Sequence, residues 1–153
     1  MSAETKLQEL GITLPEAPKP VAAYVPFVKD GDLVYTSGQI CLEAGQLKYK
    51  GKVGGELSQE EGYQAARLCA VNTLAVLKSA IGSLDKVVQI VKVTGFVNSA
   101  SGFSAQPAVV NGASELYQQV FGDAGRHARS AVGVSELPLG SPVEVEIIAR
   151  VKA

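Results

Sequence analysis

The residues of this chain that could do chemistry lie mainly in its C-terminal third. Arg129 opens a largely apolar segment, residues 129–137, and its planar guanidinium can donate two parallel hydrogen bonds to a carboxylate. Glu144 lies in the next apolar segment, on its less apolar face. Composition alone favours simpler roles, namely a structural ion pair for Arg129 and a solvated surface position for Glu144. Residue type therefore leaves both interpretations open.

The scarcity of histidine and cysteine excludes several kinds of site. The chain has one histidine and two cysteines, and the spacing of Cys41 and Cys69 fits neither a zinc site nor a disulfide framework. Cys69 is interpreted as a small core residue. Because the sequence lacks a Gly-x-Ser-x-Gly elbow, His127 is interpreted as a packing or hydrogen-bonding residue. Gly51-Lys52 lacks the other residues of a phosphate-binding loop. We expect no bound metal.

The overall composition indicates one apolar, nearly neutral domain. Of the 153 residues, 46% are hydrophobic, and 14 Lys and Arg balance 15 Asp and Glu. A chain of this length can bury about 70% of its unfolded surface around one core. A formal charge of −1 supplies no basic surface for a nucleic-acid backbone, so we expect no nucleic-acid partner. The polar start and the unpatterned cysteines predict a cytoplasmic protein, and no apolar run approaches the roughly 20 residues of a membrane span.

The first 20 residues are predicted to be distinct from the rest of the chain. Residues 2–10 favour a short helix, with Ser2 as its N-cap and Gly11 as its stop. Three prolines between residues 15 and 20 then require an extended lead-in. We therefore predict a short helix and proline-rich lead-in over residues 1–20, and a single domain over residues 21–153.

Periodicity and turn residues predict the elements of that domain. Ser58 and Glu61 form a capping-box pair ahead of apolar residues spaced by three and four, which indicates a long amphipathic helix ending at Gly82. The other predicted elements are a hairpin over residues 23–40, a glycine-rich loop over 41–57 with at most a short strand near Leu47 and Tyr49, a strand over 87–97, a helix over 106–120, and a second hairpin made of segments 129–137 and 143–151.

This order predicts an α+β fold, a two-layer sandwich in which two long helices cover one face of a mixed β-sheet. Alternate residues of segment 143–151, starting at Val143, are apolar and should face the helices. The other face of the sheet would leave apolar residues uncovered, and its candidates are Val88, Ile90, Phe96 and Ile148. Because exposing such a patch is costly, we expect the chain to self-associate.

Three short motifs give the chain a family resemblance. They are residues 36–40 (TSGQI), 128–130 (ARS) and 143–146 (VEVE). Together they resemble the YjgF/YER057c/UK114 group, also called the Rid or reactive intermediate deaminase family, and the resemblance runs from about residue 21 to residue 151. It implies a chorismate-mutase-like fold, assembled as a homotrimer with a ligand cleft between subunits.

The resemblance also implies an activity. The best-understood members of this family hydrolyse reactive enamines and imines, such as 2-aminoacrylate, to 2-keto acids and ammonia without a cofactor. By correspondence of motifs, Arg129 would hold the substrate carboxylate and Glu144 would position or activate a water molecule. The remaining residues implied to line the cleft are Tyr24, Ser37, Gly38 and Asn111.

Two residues depart from the family pattern next to the implied site. His127 stands where the family often has proline, and Ala131 where it often has cysteine. Ala131 keeps the backbone N–H through which the cysteine usually acts, so it stays a candidate binding residue, and His127 would adjoin the site and could titrate there. Two alternatives to the deaminase remain: a non-catalytic trimer that binds small carboxylates or regulates, and an endoribonuclease or translation inhibitor. The lack of a basic patch and of a second histidine argues against the latter.

Overall fold

A mixed β-sheet with helices on one face forms the core of the computed structural model, which describes residues 2–20 and 23–153. The helices are α1 (Ala3–Glu9), α2 (Gln59–Ile81) and α3 (Gln106–Phe121). The strands are β1 (Phe27–Asp30), β2 (Leu33–Thr36), β3 (Gln39–Ile40), β4 (Leu42–Glu43), β5 (Gln46–Leu47), β6 (Val87–Asn98), β7 (Ala128–Val134) and β8 (Val143–Val151). Short 3-10 turns at Leu84–Lys86, Gly122–Gly125 and Pro138–Gly140 join some of them.

The predicted helices are confirmed, and so are their capping residues. The Ser58 hydroxyl accepts a hydrogen bond from the Glu61 backbone N–H (3.1 Å), and the Glu61 carboxylate accepts one from the Ser58 N–H (2.9 Å). This reciprocal pair satisfies donors that the first turn of a helix otherwise leaves unpaired. Helix α2 ends at Gly82, whose φ of 86° favours glycine. Helix α1 begins after Ser2, whose hydroxyl accepts from the Thr5 N–H.

The sheet places β6 between the two C-terminal strands. The strand order is β1-β2-β8-β6-β7, with β3 also paired to β8. Strand β7 is parallel to β6, and β8 is antiparallel to β6. The predicted C-terminal hairpin is therefore wrong, since β7 and β8 are not paired with each other. The reason is the crossover through α3. It returns the chain parallel to β6 and places β7 on one side of β6, and the connection after β7 then passes the end of β6 and places β8 on the opposite side of β6.

The predicted alternation of β8 is confirmed. Ile90, which was predicted on the uncovered face of the sheet, lies instead on the helix side. Val143, Val145 and Ile147 are buried beneath the helices, as predicted. Ile90 is also fully buried in this core, because a register shift between Ile90 and Lys92 inserts one extra residue and reverses the faces of β6. The opposite face of the sheet, which we call the free face, carries Phe96 among its half-buried residues.

The glycine-rich loop holds a small sheet of its own. The short strand predicted near Leu47 is confirmed as β5, and it pairs with β4, which the sequence did not reveal. Cys69 is fully buried, as interpreted, and Cys41 is buried as well. The predicted boundary between the two parts of the chain, at residue 21, lies outside the described residues. No helix in the described part of the chain is long and apolar enough to cross a membrane.

Candidate active site

Arg129 lies on the edge strand β7 and points toward helix α3. Its register partner on β6 is Val93, a core residue, so the arginine side chain leaves the sheet on the helix side. There its Nη1 donates hydrogen bonds to Asn111 Oδ1 (2.8 Å) and Ser114 Oγ (3.0 Å). Its Nη2 points one hydrogen at the Pro107 carbonyl (3.4 Å). Three neutral oxygens on α3 thus orient the guanidinium.

These contacts leave one edge of the guanidinium of Arg129 available. Both hydrogens of Nη1 are used, and within residues 2–20 and 23–153 the Nε hydrogen and the second Nη2 hydrogen have no acceptor. That edge has the fork geometry that matches a carboxylate. No aspartate or glutamate of the described residues forms an ion pair with Arg129, so the structural ion-pair interpretation lacks a partner. Burial lowers the pKa of Arg129, yet a guanidinium remains charged at physiological pH.

Glu144 lies on the free face of the sheet. Its neighbours Val143 and Val145 point into the core, so the glutamate side chain points the other way. The carboxylate is half-buried, and this burial raises its pKa above the ordinary value of 4.5, with a smaller contribution from nearby Glu146. Gly38 packs directly against it: a Cβ on Gly38 would lie 2.8 Å from Oε2 of Glu144. The glycine therefore makes room for the carboxylate.

A cavity of about 250 Å³ opens in front of Glu144 and brings together four of the predicted site residues. Tyr24, Ser37 and Gly38 line it with Glu144. Tyr24 is 65% exposed, so this lining side chain is not buried by its own chain. The Ser37 hydroxyl donates its hydrogen to the Val25 carbonyl (2.6 Å), which leaves its lone pairs to accept from a ligand.

The N-terminal segment supplies a wall of the same cavity, which sequence reasoning missed. Pro18, Lys19 and Pro20 are among its lining residues. The proline run predicted an extended segment but carried no signal of where that segment would lie, because its position depends on long-range packing.

A second crevice, of about 280 Å³, lies beside Arg129 on the helix side. Asn111, Ser114 and His127 line it. Ser114 was also missed; the available signal was its position three residues after Asn111, which places both on one face of a helix. The Ala131 side chain packs against the core from β7, and the binding role implied for its backbone N–H stays a prediction.

The two halves of the predicted site are thus on opposite faces of one sheet. Arg129 and Asn111 meet on the helix side, whereas Glu144 and Tyr24 meet on the free face. Arg129 and Glu144 also lie on strands separated by β6. A single chain therefore does not bring the Arg129 guanidinium and the Glu144 carboxylate into one cavity. Among the residues described, no cluster of three or more His, Cys, Asp or Glu side chains could hold a metal ion.

Comparison with known proteins identifies the family. A model of the family described as "YjgF/chorismate_mutase-like, putative endoribonuclease" matches residues 4–151. The chain belongs to this family. The resemblance drawn from the three motifs is therefore confirmed, and the match also includes most of helix α1.

Similar proteins of this family span nearly the whole chain. Protein TCP17 of Trypanosoma cruzi is 43% identical over 145 residues, covering 94% of this chain and 91% of that protein. The 2-iminobutanoate/2-iminopropanoate deaminase of Dermatophagoides farinae is 33% identical over 141 residues, covering 92% and 95%. A crystal structure described as a "putative endoribonuclease" from Shewanella oneidensis MR-1 superposes with a TM-score of 0.95 at 34% identity, covering 99% and 100%. These comparisons confirm the α+β family fold.

Proposed function

We propose that this protein hydrolyses reactive enamines and imines of small carboxylic acids to 2-keto acids and ammonia, without a cofactor. The observation that carries the proposal is the oriented, unpaired edge of Arg129, which presents two N–H donors to a carboxylate. A relative that is 33% identical carries the name of such a deaminase, which supports the substrate class.

The chemistry requires positioning and a base. The substrate carboxylate binds the Nε and Nη2 edge of Arg129, and this contact fixes the neighbouring C=N carbon. Glu144 takes a proton from a water molecule as the water oxygen bonds to that carbon. Glu144 returns that proton to the nitrogen, which gives an adduct with a hydroxyl and an amino group on the same carbon. The hydroxyl proton then passes through Glu144 to the amino group, the C–N bond breaks to release ammonia, and the remaining oxygen forms the C=O bond of the 2-keto acid. An enamine enters the same route by moving one proton to carbon.

We further propose that the site forms between copies of the chain, as a homotrimer. The opposite orientations of Arg129 and Glu144 support this, since a second copy can bring its arginine to the cavity of the first. The free face also carries exposed apolar side chains, which an interface would cover: Val28 (55% exposed), Tyr35 (40%) and Val132 (43%). The raised pKa of Glu144 makes its carboxylate a stronger base than an ordinary glutamate, which supports the role proposed for it.

The test is an imine assay on two variants. An amino-acid oxidase generates the imino acid in solution, and the appearance of the 2-keto acid is followed against the spontaneous rate. We expect Arg129→Ala to lower kcat/KM about 100-fold or more, because two charge-assisted hydrogen bonds are lost. Arg67→Ala is the matched control, since Arg67 also bonds a neutral side chain, Gln119, but lies outside the site. A wild-type rate equal to the spontaneous one would refute the deaminase. Tight, Arg129-dependent binding of a 2-keto acid without turnover would instead identify a carboxylate-binding protein.

A further inference from the structure

A continuous chain of hydrogen bonds links His127 to the guanidinium of Arg129. His127 Nδ1 lies 2.7 Å from the Gly125 carbonyl oxygen, and its Nε2 lies 2.9 Å from Ser114 Oγ. Ser114 Oγ in turn lies 3.0 Å from Arg129 Nη1. The His127 and Tyr117 rings also pack in a T-shaped arrangement, with centroids 5.9 Å apart and planes at 87°, which helps to hold the imidazole in this orientation.

The donors and acceptors of this chain allow one arrangement of hydrogens. A carbonyl oxygen only accepts, so His127 carries its proton on Nδ1. A guanidinium only donates, so Ser114 Oγ accepts from Arg129. The Ser114 hydrogen is then directed to His127 Nε2, which is an unprotonated acceptor in this tautomer. The Gly125 carbonyl, both imidazole nitrogens and the Ser114 hydroxyl all have hydrogen-bond partners only while the imidazole is neutral.

Protonation of His127 removes this arrangement. A proton on Nε2 would turn that atom into a donor to Ser114 Oγ, and the Ser114 hydrogen would lose its acceptor. It would also place a second positive charge next to Arg129. Burial lowers the pKa of His127 below the ordinary value of 6.5, and the charge of Arg129 adds to the effect, although the bond to Gly125 opposes it.

We propose that His127 is a positioning residue for Arg129. The neutral Nδ1–H tautomer accepts the Ser114 hydrogen and so orients the Ser114 oxygen to accept from Arg129. Protonation of His127 weakens the binding of carboxylate ligands by Arg129. This rests on the proposed role of Arg129 as the carboxylate-binding residue. Arginine itself does not titrate, so this relay gives the site a dependence on acid pH that its arginine alone lacks. Among the described residues, the other charged or titratable side chains that line this crevice or pack on the imidazole are Arg126 from the preceding turn, and Glu115 and Tyr117 from α3.

The experiment measures binding and needs no turnover. The probe is 2-oxobutanoate, a stable 2-keto acid, titrated calorimetrically at pH 7.5 and at a pH below the His127 pKa that NMR measures. We expect wild type to bind about 3- to 10-fold more weakly at the lower pH, the size of one lost hydrogen bond. His127→Gln places a non-titrating oxygen near the Nε2 position, so it should keep the affinity at pH 7.5 and lose the pH dependence. Ser114→Ala should weaken binding and abolish the pH dependence. The control is Glu60→Gln, in the first turn of α2 and outside this crevice, which should behave as wild type.

Two further outcomes separate this inference from the proposed function. Because the chain has one histidine, its imidazole nitrogens give a single set of NMR signals. These should report the Nδ1–H tautomer, and Arg129→Ala should raise the His127 pKa. The opposite tautomer, or a pH dependence unchanged in His127→Gln, would overturn the inference even if the enzyme is active. A silent imine assay with pH-dependent binding as described would refute the deaminase and leave the relay intact.

Discussion

Gly38 offers the most direct test of Glu144 as a base. An alanine Cβ at this position would lie 2.8 Å from Oε2, 2.9 Å from Cδ and 3.0 Å from Cγ of Glu144. Ordinary contacts of this kind are about 3.5 Å, so the carboxylate must retreat by roughly 0.5 Å or more. The backbone φ of Gly38 lies outside the left-handed region, so alanine itself is not strained there.

The expected result is a loss of rate with little loss of stability. A catalytic group displaced by about 0.5 to 1 Å can lose up to 100-fold in rate, so we expect kcat of Gly38→Ala to fall about 10- to 100-fold. The displaced atoms are the end of a flexible side chain, and alanine restricts the unfolded chain, so the free energy of unfolding should change by less than about 1 kcal/mol. Gly55→Ala is the matched control, because its Cβ would meet no atom closer than 3.5 Å.

The assay is imine hydrolysis combined with urea unfolding, carried out as a double-mutant cycle. In a Glu144→Gln background the base is already absent and the clash is the same size, so Gly38→Ala should cost almost nothing further. An equal loss of kcat in both backgrounds would show that Gly38 acts on something other than the carboxylate. Unchanged kcat in the single variant would refute the placement of Glu144 in the reaction.

Three other predictions concern the packing, the pH response and the assembly. A Cβ on Gly112 would lie 2.0 Å from the Tyr63 backbone oxygen where α3 crosses α2, so Gly112→Ala should destabilise by about 3 kcal/mol or more in urea unfolding, whereas Gly62→Ala, which meets only side chains, should cost far less. Because its pKa is raised, Glu144 becomes protonated at a higher pH than an ordinary glutamate, and protonation removes the base. The value of kcat/KM should therefore fall as the pH drops through that pKa, and a flat pH profile would contradict the role of Glu144 as base. Mixed and refolded Arg129→Ala and Glu144→Gln chains should regain about a quarter of the wild-type activity, and no recovery would place the site within one chain.

Local elements were predictable because local interactions determine them. The capping box at Ser58 and Glu61 requires only four residues, and Gly82 ends its helix through a positive φ that glycine tolerates. The partner of β7 was not predictable in this way, since alternation specifies which face a residue occupies but not which strand lies beside it. The face of the sheet on which Ile90 lies was predicted wrongly for a related reason. A single extra residue in β6 reverses which face the following residues occupy, and the apolar pattern of the sequence does not reveal it.

The candidate site was predictable as a set of residues but not as an arrangement. Arg129 and Glu144 came from family motifs, and the structure shows that they leave the sheet on opposite sides. Ser114 and His127 were harder to assign, since their role depends on donor and acceptor directions that only the folded contacts define. Residue types and motifs thus predict a chemistry, and the geometry shows which side chains contact one another.

The wall formed by residues 18–20 shapes the cavity without contributing to the hydrophobic core. These residues line the cavity before Glu144, yet none of them belongs to the hydrophobic core or to a strand of the sheet. On the proposed function, substitutions at residues 18–20 would change which substrate side chain fits the cavity without altering the packing of the core. The N-terminal segment is then the part of the chain at which substrate preference can change while Arg129, Glu144 and the sheet stay constant.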